Sequence, residues 1–318
     1  MSIVIRVRTT GGPSVLVPET EEVGAPGPGQ VRLRQDAIGV NFVDTAFRNG
    51  SFKLPLPFVG GVEGAGVVDA VGPDVTRVAV GDRVGYFFAP GSYAEVRLID
   101  AQVLIKLPAD VSNEQSAAFL TKGLTAWMAI RALYPVKARE HVLVQGASGG
   151  VGSIVAHWAK SLGATVIGTA GTATKVASVK EYTDQAFLAT DADLGAKVRA
   201  LVPQGVDVVF EFIGKASFGG SARAVRDGGV IVNIGAASGA PDIDRDALAA
   251  RGVRLIGGST AQLVTGPTIQ VATAELFYAL RSGSLGEITF TRNPLVDAAK
   301  VHDDIANRRS VGPQILTP

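Results

Sequence analysis

The sequence predicts an α/β protein with a Rossmann-type doubly wound parallel sheet and a second, β-rich domain. Three observations predict it. Residues 116–266 alternate continuous apolar strands with helical stretches, the pattern of a parallel sheet covered on both faces. Residues 1–115 read as short strands broken by glycine and proline turns. The stretch Gly146-Ala147-Ser148-Gly149-Gly150-Val151-Gly152 joins the apolar run His141-Val142-Leu143-Val144 to the amphipathic stretch from Ile154 to Leu162. That is a strand, a glycine turn and a helix in the order that holds a pyrophosphate.

In chain order, the turn cluster Pro26-Gly27-Pro28-Gly29 leads to Val31-Arg32-Leu33-Arg34, which alternates with period two as a half-buried strand does. A strand from Gly64 to Val71 follows, its glycines marking close backbone approach. Gly81-Asp82-Arg83-Val84 turns into a strand from Val84 to Phe88, and another runs from Tyr93 to Leu98. Ser112 is the expected N-cap of an Ala-rich helical stretch, with Gln115 completing a capping box. Then come a helix from Gly123 to Leu133, strand 141–145, helix 150–162, a strand from Thr165 to Gly168 and a helix from near Thr174. A strand from Val206 to Glu211, a helix from Ser217 to Val225, a strand from Gly229 to Ile234 and a final strand from Arg254 to Gly257 complete the alternation. A helix from Ala272 to Arg281 and a strand from Ile288 to Phe290 leave that pattern, so residues 267–318 are expected to rejoin the first domain.

Composition narrows the function classes. Hydrophobic residues make up 47% of the 318, ample for a packed core. Thirty basic residues face 29 acidic ones, which gives no electrostatic footprint for nucleic acid or an anionic membrane. There is no cysteine, so disulfides, thiolate nucleophiles and Cys-ligated zinc are excluded. The three histidines, His141, His157 and His302, are spread along the chain, and His157 reads as a packing or surface residue of a helix. The N-terminus has no long apolar segment, and no run of about 18 apolar residues occurs. A cytoplasmic protein is the expectation.

The glycine turn reads A-x-G-x-x-G on Ala147, Gly149 and Gly152, with Ala in place of the usual first glycine. NAD enzymes of this type place an acidic residue about 20 residues further on, at the end of the second strand. Here that region is Val166-Ile167-Gly168-Thr169-Ala170-Gly171-Thr172-Ala173-Thr174-Lys175 and carries no acid. A carboxylate would repel a 2′-phosphate, whereas Thr172 and Lys175 can donate to one, so the cofactor expected is NADPH. Thr172 as a plain helix cap and Lys175 as a solvated charge is the structural alternative, and the two are compatible.

Six blocks together resemble one family: Gly39-Val40-Asn41-Phe42-Val43-Asp44, Gly61-Val62-Glu63-Gly64-Ala65-Gly66-Val67-Val68, Gly81-Asp82-Arg83-Val84, Lys122-Gly123-Leu124-Thr125-Ala126, Gly149-Gly150-Val151-Gly152 and the stretch from Gly168 to Lys175. In order and over essentially the whole chain, they are similar to the zinc-independent quinone oxidoreductase branch of the medium-chain dehydrogenase/reductase superfamily. The resemblance implies a GroES-like first domain, NADPH-dependent reduction of a quinone or an α,β-unsaturated carbonyl, and a homodimer. Zinc members carry Gly-His-Glu where this chain has Gly61-Val62-Glu63, and they use a Cys ligand that is absent here. Glu63 is therefore expected to be structural.

The same resemblance puts Asn41 and Thr125 near the nicotinamide and substrate, as candidates to polarise the acceptor. It puts Ser148, Gly149, Gly150 and Val151 at the pyrophosphate, and Gly171, Thr172 and Lys175 at the 2′-phosphate. Gly235 and Ala236 fall on the nicotinamide side, and Arg308 near the cofactor. The structural alternatives are a turn residue for Asn41, a hydroxyl bonded back to a helical carbonyl for Thr125, and a surface charge for Arg308. Three departures stand out: Ala46 and Ala189 where some members have Tyr, and Glu181-Tyr182-Thr183-Asp184 in place of a glycine-containing turn. Competing functions are an enoyl reductase or tailoring enzyme, and a crystallin-like or RNA-associated dinucleotide-binding protein without turnover.

Overall fold

A computed structural model describes every residue of the chain except Arg308 and Val311. It divides into two units, residues 1–121 with 288–318, and residues 122–287.

In the first unit, β1 (Ser2–Val7) pairs antiparallel with β2 (Leu16–Glu21). The long β3 (Gln30–Val40) runs into α1 (Phe42–Asn49), and β4 (Phe58–Val59) pairs with β1. Then come β5 (Glu63–Val71), β6 (Arg83–Tyr86), β7 (Val96–Asp100) and β8 (Ile105–Lys106). β3 is central: β5 lies along one edge, and β7 takes the first half of the other edge. Its alternation buries Val31 and Leu33 completely, in a cluster with Val68, Val84 and Tyr86. Each such side chain contributes roughly 1.5–3 kcal/mol of hydrophobic stabilisation. Ser112 and Gln115 cap α2 (Asn113–Trp127) reciprocally, each side chain accepting the other's backbone N–H at 3.0 Å. The division between the units falls within α2, after Thr121.

The second unit contains β9 (His141–Gln145), α3 (Gly150–Ser161), β10 (Thr165–Ala170), α4 (Ala173–Lys180), β11 (Gln185–Leu188), α5 (Leu194–Leu201), β12 (Val206–Glu211), α6 (Phe218–Ala224), β13 (Val225–Asn233), α7 (Arg245–Ala250) and β14 (Arg254–Ile256). The strands form a parallel sheet in the order β11-β10-β9-β12-β13-β14. Order reverses between β9 and β12, and a doubly wound sheet binds its ligand at the carboxyl ends of the strands there. Leu143, Ile167, Val209 and Ile231 pack with Val198, Phe218 and Leu248 of the helices. Strands buried on both faces explain the unbroken apolar runs of this half. The unit closes with α8 (Thr260–Leu263) and α9 (Pro267–Arg281). No helix among the described residues is long and apolar enough to cross a membrane.

The chain then returns to the first unit. β15 (Thr291–Pro294) pairs with β16 (Gln314–Thr317), which takes the remaining edge of β3, and α10 (Ala298–Ala306) lies between them in sequence.

Some boundaries differ from those expected. Strands 141–145 and Val206–Glu211 match. No strand covers Ile288 to Phe290; the pairing begins at Thr291, where β16 supplies a partner. The helix expected from Gly123 is the second half of α2, followed by a π-helical stretch from Met128 to Leu133. Tyr93 lies outside a strand and is fully buried.

Candidate functional site

The glycine turn sits at the carboxyl end of β9 and opens α3. Gly146 takes the left-handed conformation at φ 73°, which a side chain resists. Ala147 follows it without positive φ, which is why alanine is accepted at the first motif position. At Gly152 a Cβ would lie 2.2 Å from the Gly146 carbonyl oxygen, so only glycine fits. The first α-helical bond is Ser153 N–H to Gly149 O at 2.9 Å. The N–H groups of Gly150, Val151 and Gly152 therefore have no acceptor within the helix. Three donors and the positive end of the helix dipole converge on one place, the arrangement that holds a pyrophosphate. Ser148 beside them is exposed. Gly149 plays a different part: its N–H closes the turn on Gly146 O at 2.9 Å.

The second candidate element is the end of β10. Gly171 and Thr172 are exposed there, and no carboxylate occurs from Thr165 to Lys175. Thr172 is the N-cap of α4, its Oγ1 accepting from the Lys175 N–H at 3.3 Å. Lys175 is half-buried on the first turn of α4. A hydroxyl, a helix N-terminus and a cation thus lie within one turn of chain. Tyr182, from the segment that stands in place of a glycine-containing turn, donates its hydroxyl to the Ala147 carbonyl at 3.0 Å. Burial, together with Glu181, pushes that phenol up to about 12. Beyond β13, Gly235 donates to Glu211 O at 3.1 Å, and a Cβ there would meet Phe212 O at 2.1 Å. Ala236 is exposed. Thr125 pairs its hydroxyl with that of Thr260 at 2.9 Å. Arg308 lies outside the described residues.

In the first unit, Asn41 is the N-cap of α1 and is buried. Its Nδ2 donates to Glu63 Oε2 at 2.8 Å, and its backbone N–H donates to Asp44 Oδ2 at 2.8 Å. Asp44 Oδ2 also accepts from the Tyr93 hydroxyl at 3.0 Å. His302 Nε2 lies 2.8 Å from that hydroxyl, and His302 Nδ1 lies 3.4 Å from Arg48 Nη1. With the Tyr93 proton committed to the carboxylate, His302 donates from Nε2 and accepts at Nδ1. Burial first, then Arg48, pushes His302 from 6.5 down to about 3, so the ring is neutral. Burial and Asp44 hold the Tyr93 phenol well above its usual range. Asp44, Tyr93 and His302 have no local sequence signal, because they come from α1, a loop and α10.

The donor set does not suit zinc. Val62 is apolar and buried, while Glu63 Oε1 accepts from the Thr121 N–H at 2.6 Å and its Oε2 from Asn41. Among the described residues, no group of three His, Cys, Asp or Glu side chains converges as a metal site.

The alcohol dehydrogenase GroES-like domain family matches residues 27–109, and the zinc-binding dehydrogenase family matches residues 150–271. The chain is 35% identical to a quinone oxidoreductase of Pseudomonas aeruginosa, covering 99% of each chain. It is 37% identical to a 2-haloacrylate reductase of Burkholderia, covering 98% of each. Among solved structures, the Escherichia coli quinone oxidoreductase complexed with NADPH superposes with a TM-score of 0.94 at 33% identity, covering all of both chains.

Proposed function

Since the chain belongs to the medium-chain dehydrogenase/reductase superfamily, among its quinone oxidoreductases, we propose that it is an NADPH-dependent reductase of quinones or of activated, α,β-unsaturated carbonyl compounds, working without zinc. The observation that carries the cofactor choice is the acid-free end of β10, with Thr172 and Lys175 on the first turn of α4. The 2-haloacrylate reductase relative supports the unsaturated class beside the quinones.

Bound NADPH supplies a hydride for an electrophilic carbon of the acceptor. The chain's own residues bind and orient. Gly150, Val151 and Gly152 present their N–H groups to the pyrophosphate, with Ser148 at the edge of the turn. Lys175 and Thr172 take the 2′-phosphate, where a charge-assisted contact is worth roughly 1.5–3 kcal/mol. Gly235 and Ala236 bound the nicotinamide side. Asn41 and Thr125 are the side chains assigned to hydrogen-bond the acceptor's oxygen, in place of a metal. Asn41 is suited to this because Glu63 and Asp44 already fix its amide and backbone. No dedicated acid is assigned, and solvent delivers the proton.

The test is a screen of the purified protein with NADPH and NADH against quinones, 2-haloacrylates, enones and enoyl thioesters. Turnover with NADPH and a quinone or small enone is expected. Turnover with enoyl thioesters alone would favour a biosynthetic enoyl reductase, and none with any acceptor would favour a non-catalytic binder. A cytoplasmic homodimer is part of the same reading, and light scattering should give twice the chain mass.

A further inference from the structure

Beneath the glycine turn lies a row of buried polar side chains on the carboxyl ends of three neighbouring strands. Gln145 ends β9, Thr169 is next to last in β10, and Glu211 ends β12; Ser221 joins them from α6. All four are fully buried. Glu211 Oε1 accepts from the N–H groups of Ile213 at 2.9 Å and Gly214 at 3.0 Å and from the Ser217 hydroxyl at 2.7 Å. Its Oε2 accepts from the Ser221 hydroxyl at 2.6 Å. Ser221 Oγ accepts from Gln145 Nε2 at 2.9 Å. Gln145 Oε1 accepts from the Thr169 hydroxyl at 2.6 Å, and Thr169 Oγ1 accepts from the Gly146 N–H at 3.1 Å.

The direction of every bond in this row follows from its first member. Donors surround Glu211, so Ser221 gives its only proton there. Ser221 can then only accept from Gln145, which settles which end of the Gln145 amide faces Thr169. Thr169 in turn gives its proton to Gln145 and keeps a lone pair for Gly146. A second bond, Ala147 N–H to Thr169 O at 2.8 Å, adds the next residue of the turn. Two consecutive N–H groups are therefore pinned to one threonine at the point where β9 leaves the sheet. The backbone carbonyl of Glu211 also accepts from the N–H groups of Ile234 and Gly235, both at 3.1 Å.

We infer that Glu211, Ser221, Gln145 and Thr169 are positioning residues for the dinucleotide, a one-way hydrogen-bond relay that aims the glycine turn at the pyrophosphate and so sets cofactor affinity. The inference rests on the dinucleotide-binding reading above. None of the four needs to touch the cofactor; each acts through Gly146 and Ala147.

The test compares Thr169→Val, which keeps shape but removes the acceptor for Gly146, with Thr169→Ser, which restores it. NADPH affinity is measured by fluorescence titration, and KM and kcat with a quinone. Thr169→Val is expected to raise the NADPH dissociation constant and KM about tenfold, with kcat and quinone KM within about twofold of wild type. Thr169→Ser should return the dissociation constant to within about threefold. Ser221→Ala should weaken NADPH in the same direction, and it stands in if Thr169→Val does not fold. Unchanged NADPH affinity in Thr169→Val would overturn the relay. So would a Thr169→Ser protein as weak as Thr169→Val, or a uniform loss of kcat and of both KM values. Wild type that binds NADH instead refutes the NADPH reading alone, and the relay is then tested with NADH. Wild type that binds neither refutes both.

Discussion

Asn41 and Glu63 are joined at 2.8 Å, Nδ2 to Oε2, with both side chains buried. The bond ties the N-cap of α1 to the first residue of β5, and the other oxygen of Glu63 holds the Thr121 N–H of α2. In the zinc branch the matching Glu follows a His ligand; here it orients the amide assigned to the acceptor.

Replacing Glu63 by Ala strands two buried donors, and bonds to charged groups are worth roughly 1.5–3 kcal/mol each. Urea denaturation should show Glu63→Ala less stable by about 3 kcal/mol, and Glu63→Gln by about half of that. Equal losses would contradict the assignment.

Gly39 faces the same carboxylate. A Cβ there would stand 2.3 Å from both Glu63 Oε2 and the Ala117 carbonyl oxygen. Gly39→Ala should therefore destabilise by about 3 kcal/mol or more. Because the Ala117 carbonyl remains, adding Glu63→Ala should not restore the thermal midpoint.

Lys175→Ala should raise the NADPH dissociation constant roughly 10–100-fold and leave NADH within about twofold. Isothermal titration of both nucleotides decides it. Equal NADPH affinity in mutant and wild type would remove Lys175 from the 2′-phosphate site.

Tyr182→Phe deletes the hydroxyl that donates to the Ala147 carbonyl. A loss of about 1 kcal/mol in unfolding free energy is expected, together with weaker NADPH binding by a few-fold, about threefold. A mutant matching wild type in both would reduce Tyr182 to a packing role.

His302 makes stability fall in acid. Its ring is held from 6.5 down to about 3 by burial and Arg48 when folded. Above about pH 7 neither state is protonated there, so the group adds no pH dependence. As pH falls below about 6.5, the unfolded chain takes up the proton first, and stability drops by about 1.4 kcal/mol per unit until about pH 3. His302→Gln should flatten the limb between about pH 6 and pH 5 by that slope, whatever its stability at neutral pH. Carboxylates that are held low, Asp207 against its burial by the His141 N–H and then Arg226, and Glu275 by Arg131, act in both proteins. Parallel acid limbs would refute the prediction.

Local pattern made much of this legible. The runs 141–145 and Val206–Glu211, the Ser112–Gln115 capping box and the turn from Gly146 to Gly152 each depend on residues close in sequence. Apolar periodicity, capping and left-handed glycine are properties of neighbours, and so is the missing acid at the end of β10.

Tertiary structure decided the rest, because its partners are distant in the chain. Gln145 and Ser221 are 76 residues apart and Tyr93 and His302 209 apart, and neither pair has a spacing that a pattern can register. A local hint was a polar residue closing an apolar run, Gln145 after Val142–Val144 and Glu211 after Val208–Phe210. Likewise β15 begins at Thr291 rather than Ile288 because β16 provides ladder partners only there. The sequence by itself determined the two-domain α/β class and the phosphate turn. Folding decided which buried acceptor each polar group meets, and that pairing orients both the turn and Asn41.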